Sequence, residues 1–266
     1  MRSFETTQPV RARVRLHAGN VRVAASDLAR AGVKVTPTRP DRAPDVQAAE
    51  RTTVTFVDGI LDVSVPRERG LGLVWRPASV DVLVELPHGS HVDAETAYGD
   101  IEASGRLGEC DLKTSAGNVR VEEATSARLR TSAGNVEARR VSVEADLSTS
   151  AGNVSVGECS GRATLRASSG DISVGRSEGR VDARTAYGQM RVDSVTDGAL
   201  TLATGYGGVD VAVVDGTIAQ LDVASDHGAV RSELTPTTEP SGGTDRRATI
   251  TARTKYGNVT IRKALS

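Results

Sequence analysis

The chain has 266 residues, enough for one or two domains with a substantial core. Lys and Arg total 33 against 34 for Asp and Glu, and this balance excludes the broad basic surface of nucleic-acid coat proteins and polybasic membrane binders. Aromatic residues make up only 3% of the chain and glycines number 27. A core must therefore be built mainly from Val, Ala, Leu and Thr, which suits β-structure.

The first residues, MRSFETTQPVRARVRL, lack the apolar stretch of an export signal. No apolar run approaches the ~18 residues that a membrane-spanning helix needs. We therefore expect no membrane insertion and a cytoplasmic location. The two cysteines, Cys110 and Cys159, are too few for a disulfide framework and have no zinc-ligand neighbours. Both are predicted to be free thiols.

Residues 1–90 show irregular β-patterns. The segment Ala18-Gly-Asn-Val-Arg-Val23 introduces a signature that recurs further along the chain. Residues 54–63 predict a hairpin that turns through Asp58-Gly59, residues 79–86 predict a strand, and residues 45–51 predict one short helix. We expect 1–90 to form irregular N-terminal coils and hairpins that begin and cap the structure.

Residues 91–266 carry a regular repeat. Tetrapeptides such as Ser-Ala-Gly-Asn and Ala-Tyr-Gly-Asp are each followed by alternating apolar residues, and their glycines are spaced by 17–21 residues: Gly99, Gly117, Gly134, Gly152, Gly170, Gly188, Gly207 and Gly228. Period-2 segments before each glycine predict strands. A period near 18 is too short for two packed helices and predicts coils stacked at the ordinary strand spacing of about 4.8 Å.

The predicted fold is an all-β solenoid, a parallel β-helix of ~18-residue coils that forms one continuous unit with the N-terminal cap. Its interior column is expected to hold, in chain order, Leu112, Leu129, Leu147, Leu165, Ala183, Leu202 and Val223. A second inward column carries Thr or small residues two positions later. Glycine at each corner fits a turn with positive φ, and the Asn or Asp beside it can bond backbone locally.

The C-terminal part departs from the period. Glycines 228 and 257 are 29 residues apart, and the excess predicts an exposed loop at 235–247. After Ile261 little remains to cap the stack. The charges of Arg262 and Lys263 either prevent other chains from pairing with an open strand edge, or these residues belong to an end of the solenoid that binds the end of another copy.

The repeated Ser-Ala-Gly-Asn-Val-x-Val, the segment Gly-Arg-Leu-Gly-Glu-Cys at 105–110 and the opening strands resemble a bacterial β-strand-repeat family known as a "putative adhesin" domain of unknown function. The resemblance covers nearly the whole chain. It implies a right-handed β-helix-like fold with no established enzymatic activity and no catalytic residues to carry over.

One outward column could bind a polyanion through the cations Lys113, Arg130, Arg166 and Arg184. The neighbouring column holds Asp111, Asp146 and Asp182. Interleaved opposite charges are also what keeps a solvated solenoid face soluble. The pattern favours that solvated face over a nucleic-acid or anionic-glycan site.

The four tyrosines of the chain all stand immediately before a corner glycine, and His227 takes that position once: the predicted outer ladder on the C-terminal coils is Tyr187, Tyr206, His227 and Tyr256. Exposed aromatic ladders bind sugars, bases or protein partners. The alternative is a stack that only stabilises the turns.

No catalytic group, metal site or cofactor site is predicted. His88 and His91 flank a turn that reads as a solvated loop, and the carboxylates do not converge on one face. We expect a non-enzymatic scaffold or binding protein that contacts a protein partner or itself, end-to-end or along the aromatic edge. The alternative is a carbohydrate-active or glycan-binding β-helix.

Overall fold

A computed structural model describes residues 1–66, 78–235 and 246–264. The chain is all-β and solenoid-like, with 22 strands and one helix in those ranges. It divides into two compact units, Met1–Gly134 and Asn135–Ser266. The sequence-based division at residue 90 stays a prediction. Most of the predicted loop at 235–247 lies outside the described residues.

Unit 1 contains ten strands and the helix. They are β1 Arg2–Glu5, β2 Arg11–Arg15, β3 Val21–Ser26, β4 Arg30–Pro37, α1 Ala43–Arg51, β5 Thr53–Val57, β6 Ile60–Ser64, β7 Val80–Pro87, β8 His91–Tyr98, β9 Ile101–Ala116 and β10 Val119–Ala133. The predicted hairpin is confirmed as the antiparallel pair β5–β6, and the predicted helix is confirmed as α1, which begins two residues earlier than expected.

Parallel pairing dominates unit 1. One ladder runs β6, β2, β8, then the C-terminal halves of β9 and β10. The other runs β7, β3, then the N-terminal halves of β9 and β10. Antiparallel strands β1, β4 and β5 close the beginning of this stack. That residues 1–90 act as a cap stays a prediction.

Unit 2 contains twelve strands. They are β11 Val136–Ala151, β12 Val154–Cys159, β13 Arg162–Ser169, β14 Ile172–Ser177, β15 Arg180–Tyr187, β16 Met190–Val195, β17 Gly198–Tyr206, β18 Val209–Val213, β19 Ile218–His227, β20 Val230–Ser232, β21 Arg247–Tyr256 and β22 Val259–Lys263. Every pair given below is parallel.

The spatial order in unit 2 is not the chain order. One ladder runs β11, β13, β15, β17, β21, β19, and the other runs β11, β12, β14, β16, β18, β22, β20. The last two strands of the chain, β21 and β22, are therefore inserted between two coils that precede them in sequence. The C-terminal strand β22 has a neighbour on each edge, which corrects the expectation of an open end after Ile261.

The insertion also corrects the predicted interior column. In unit 1 Leu112 lies opposite Leu129. In unit 2 the order is Leu147, Leu165, Ala183, Leu202, Ala252, Val223. Ala252 stands where chain order would place Val223. All the leucines of this column are at most 1% exposed, so they form the hydrophobic core of each unit.

Both cysteines are free, as predicted, and both are buried. Burial raises the pKa of the Cys110 thiol to about 12, which keeps the thiol protonated and unreactive at neutral pH. In the described part of the chain no helix is long and apolar enough to cross a bilayer.

Candidate binding edge

Close backbone contact forces glycine at each corner. At Gly188 φ is +155°, and a Cβ there would lie 2.0 Å from the carbonyl oxygen of Gly170, the corner one coil away. Gly207 and Gly257 repeat this geometry against the corners beside them. Any side chain at a corner must therefore belong to the residue before or after the glycine.

Hydroxyl groups from inside the stack hold these corners in place. Thr185 donates its Oγ1–H to the carbonyl of Gly170 at 3.1 Å, and Thr204 does the same to Gly188 at 3.0 Å. Both threonines are 6% exposed. The inward Thr column predicted from the sequence thus acts through polar contacts as well as packing, because each hydroxyl satisfies a corner carbonyl.

We expect Thr204→Val to destabilise the protein by about 1 kcal/mol, because the isosteric side chain leaves the Gly188 carbonyl without that donor. Thr201→Val, on the outward side of the same strand, is the matched control and should change stability by less than about 0.5 kcal/mol. Urea unfolding of the two variants measures the difference. Equal losses would contradict this role of the hydroxyl.

The residue after the glycine links consecutive coils. The backbone N–H of Asp171 donates to Asn153 Oδ1 at 2.9 Å, and that of Gln189 donates to Asp171 Oδ1 at 2.7 Å. This gives the repeated Gly-Asn and Gly-Asp pairs a structural role, as the sequence suggested. It also occupies the carboxylate of Asp171, which leaves the residue before the glycine as the outward functional position.

Four aromatic side chains fill that outward position in unit 2 and form one stack. The ring centroids of Tyr187 and Tyr206 are 5.1 Å apart at 7°, those of Tyr206 and Tyr256 are 4.8 Å apart at 6°, and those of Tyr256 and His227 are 4.6 Å apart at 13°. We call this set, Tyr187, Tyr206, Tyr256 and His227, the aromatic edge. Its spacing follows the strand spacing because all four residues share one register column.

The order of the rings differs from the order expected from the sequence. Tyr256, on the inserted strand β21, lies between Tyr206 and His227. Sequence reasoning assumed that neighbours in the chain are neighbours in the stack. The closer match of Lys255-Tyr-Gly257 to the Tyr206 corner was the available signal.

The stack leaves specific surfaces open. Tyr187, Tyr206 and Tyr256 are 59%, 49% and 45% exposed, but the nearly parallel rings cover one another's faces. Their edges and hydroxyl tips form the free rim. Beyond Tyr187 the column continues with Ser169 and Ala151, so the aromatic edge stops at Tyr187 on that side.

Tyr98 belongs to unit 1 and has a different environment. It is 57% exposed, and its ring meets that of His17 edge-on, with centroids 6.0 Å apart at 78°. It therefore provides a natural comparison for the stacked tyrosines.

The predicted polyanion column is interleaved with acids. In unit 1, Lys113 Nζ lies 3.4 Å from Glu95 Oε1, and Arg130 stands beside Lys113 in register. In unit 2, Arg166 pairs with Asp146 at 3.6 Å and Arg184 with Asp182 at 3.0 Å. These pairings favour the solvated-face interpretation. Polyanion binding by these cations stays a prediction.

The carboxylates with shifted pKa values favour the ionised form. Arg15 hydrogen-bonds Asp93 through both Nη atoms at 2.8 and 2.9 Å and lowers the pKa of Asp93. Arg140 lowers the pKa of Glu158 in the same way. A general acid of a glycosidase needs the opposite shift, so neither carboxyl is suited to that role.

The two histidines of the β7–β8 turn face different partners. His91 Nδ1 accepts the backbone N–H of Glu109 at 3.0 Å, whereas His88 Nε2 lies 3.6 Å from Asp27 Oδ1. Among the residues that the structure describes, no group of three or more His, Cys, Asp or Glu side chains is placed to hold a metal ion.

Comparison with solved structures finds similar chains at low sequence identity. A crystal structure described as a "putative adhesin" from Bacteroides fragilis is 14% identical, with a TM-score of 0.46, and the match covers 98% of this chain and 95% of that one. Similar proteins from Parabacteroides merdae and Parabacteroides distasonis are 11% and 13% identical, each with a TM-score of 0.36; these matches cover 99% and 98% of this chain and 95% of each of theirs.

No curated protein matches the chain significantly. A family model, in contrast, matches twice with overlap, over residues 11–218 and 84–264. Together the two matches include every strand from β2 to β22, every corner glycine and the whole aromatic edge. The chain belongs to the Toastrack DUF4097 family.

Proposed function

We propose that this chain is a non-enzymatic scaffold that contacts a protein partner through its aromatic edge. The observation that carries the proposal is the stack of four exposed rings with centroid spacings of 4.6–5.1 Å. The stack is pre-ordered by the corners beneath it, so a partner that binds there immobilises few side chains. Tyrosine is enriched among interface residues that dominate binding energy.

The scaffold that carries the edge is proposed to be a right-handed parallel β-helix with coils of about 18 residues. Pairs such as Leu147 with Leu165 and Leu165 with Ala183 support that coil length. The handedness rests on a general rule, because crossover connections between parallel strands of one sheet are right-handed in almost all proteins.

A protein partner suits this edge better than a sugar. Sugars stack on open aromatic faces, and Tyr206 and Tyr256 each have a neighbouring ring against both faces. Apart from the outer faces of the two end rings, Tyr187 and His227, the surface is a row of ring edges with hydroxyl donors and acceptors, which combines apolar contact with hydrogen bonding. The lowered pKa values of Asp93 and Glu158 make these two carboxyls unsuited to the role of a general acid.

A pull-down with three versions of the full chain tests the proposal. The bait is the wild type, the triple variant Tyr187→Ala, Tyr206→Ala, Tyr256→Ala, or the control Tyr98→Ala, which removes an equally exposed but unstacked tyrosine. We expect the partner to be lost only with the triple variant. Circular dichroism establishes that both variants are folded, and partners retained equally by all three baits would rule out the aromatic edge.

A further inference from the structure

The coil formed by β19 and β20 ends unit 2 with a free strand edge on both of its faces. Among the described residues, β19 pairs with β21 alone and β20 pairs with β22 alone. Two ladders therefore stop at the same coil. We propose that this end binds the same end of a second copy of the chain, so that two β19 strands pair antiparallel across a twofold axis and form a dimer.

The free edge of β19 presents a defined set of main-chain groups. The N–H of Ile218 donates to the carbonyl of Arg246 at 3.1 Å, so the main-chain groups of Ile218 face β21. These groups alternate between the two edges along a strand, and those of the residues between point to the free edge: Ala219, Leu221, Val223 and Ser225. A row of unpaired N–H and C=O groups is a template for pairing with another chain.

The hydrophobic interior is also open at this end. Leu221 is half-buried, although its register partner Ile250 on β21 is 0% exposed. On the other face Val230 is 44% exposed, whereas its register partner Val259 on β22 is 0% exposed. Removing such apolar surface from water favours association. A single added peptide strand would extend one ladder only, whereas a second coil of the same kind extends both.

The free edge of β19 is complementary to itself. In an antiparallel pair centred on Asp222, Leu221 lies opposite Val223 of the second copy, and Ala219 lies opposite Ser225 of the second copy. All the residues that point to the free edge then face one another, and residues paired in this way exchange both hydrogen bonds. Apolar side chains meet on the inward side of the same pair. No other antiparallel register matches the whole set.

The charge at the centre of this pair is compensated within each copy. Two Asp222 carboxylates would face each other, and like charges directly opposite destabilise a strand pair. Arg253 on β21 neutralises each of them, with Nη2 at 2.8 and 2.7 Å from the two carboxylate oxygens. Edge strands that must stay unpaired commonly carry Lys or Pro. Residues 218–227 contain no Lys, Arg or Pro, so this edge lacks that protection.

Sedimentation equilibrium of the full chain over a range of concentrations tests the dimer. We expect the wild type to stop at a dimer, because a twofold contact uses the same surface of both copies and leaves none for a third. Leu221→Lys places a charge on the inward side of the edge and should raise the dimer Kd by about 100-fold or more. Gln220→Lys adds the same charge at the neighbouring exposed position and should change Kd by less than about threefold.

A second pair of variants tests the central charges. Arg253→Ala exposes the two Asp222 carboxylates to each other and should raise the dimer Kd by about fivefold. Adding Asp222→Asn to that variant removes the repulsion and should restore the wild-type Kd. A loss that the second change does not restore would contradict the pairing centred on Asp222.

Amide hydrogen exchange of the wild type tests the same edge without any substitution. Above the dimer Kd we expect exchange at Leu221 and Val223 to slow by about tenfold or more, whereas the N–H of Asp222 faces β21 in both states and should change little. Monomers at every concentration, longer assemblies, or a dimer that Leu221→Lys leaves intact would overturn the proposal. The triple tyrosine variant should dimerise like the wild type, which separates this contact from the aromatic edge.

Discussion

Gly207→Ala is expected to destabilise the protein by about 3–5 kcal/mol, one of the largest effects available to a single methyl group in this chain. The φ of Gly207 is +145°, and the added Cβ would lie 2.0 Å from the carbonyl oxygen of Gly188 and 2.5 Å from its carbonyl carbon. Both atoms are backbone. The clash can therefore be relieved only by separating two coils that share hydrogen bonds and the buried Leu column.

The adjacent glycine provides the control. A Cβ on Gly208 would meet its nearest atom, the carbonyl oxygen of Asn258, at 3.4 Å, and its φ lies outside the strained positive range. Gly208→Ala should cost less than about 1 kcal/mol. Urea unfolding followed by far-UV circular dichroism compares the two variants, and similar midpoints would show that the coils can separate freely at the corner.

The same geometry explains why so much of the fold was predictable from the sequence. A corner that tolerates only glycine must recur once per coil, and in most coils an Asn or Asp follows the glycine and bonds the next coil. The glycine spacing therefore exposes the repeat directly. Apolar and polar residues alternate along the strands around Leu147 and Leu165. Since every second residue of a strand lies on the same face, this alternation shows which face points inward.

The insertion of β21–β22 could not be predicted in this way. Leu202, Ala252 and Val223 fit the same interior position, and Tyr206, Tyr256 and His227 fit the same outward one. Every coil matches every other coil, so the pattern defines columns without fixing the order within them. Order depends on the connections, and the 29-residue interval between Gly228 and Gly257 indicated that this connection is unusual without showing where the following strands lie.

For the candidate site, the sequence likewise predicts which residues share a column but not the order of the rings within it. The sequence places Tyr187, Tyr206, His227 and Tyr256 in one column, and the rings do stack there. Which ring faces stay open depends on the true neighbours and on ring tilt, which no pattern contains. Their role in binding stays a prediction.

Leu165→Ala is the second variant with a large expected effect, a loss of about 3 kcal/mol. Leu165 is fully buried between Leu147 and Ala183. Ala183 already has a small side chain, and it is packed between Leu165 and Leu202. Truncating Leu165 would place two alanines in succession and leave a cavity that the rigid ladder cannot close, since the strand spacing is set by backbone hydrogen bonds.

The reverse change tests whether side-chain volume is shared along the column. Ala183→Leu alone should cost about 1–3 kcal/mol through overpacking, because the substituted leucine would then lie directly between Leu165 and Leu202. In the double variant Leu165→Ala, Ala183→Leu, the added leucine side chain fills the cavity left at residue 165, and the smaller side chain at residue 165 relieves the overpacking at residue 183. We expect a loss smaller than the sum of the two single losses by about 1 kcal/mol or more. Urea unfolding of all four proteins measures this coupling, and strict additivity would mean that each coil packs its interior independently of its neighbours.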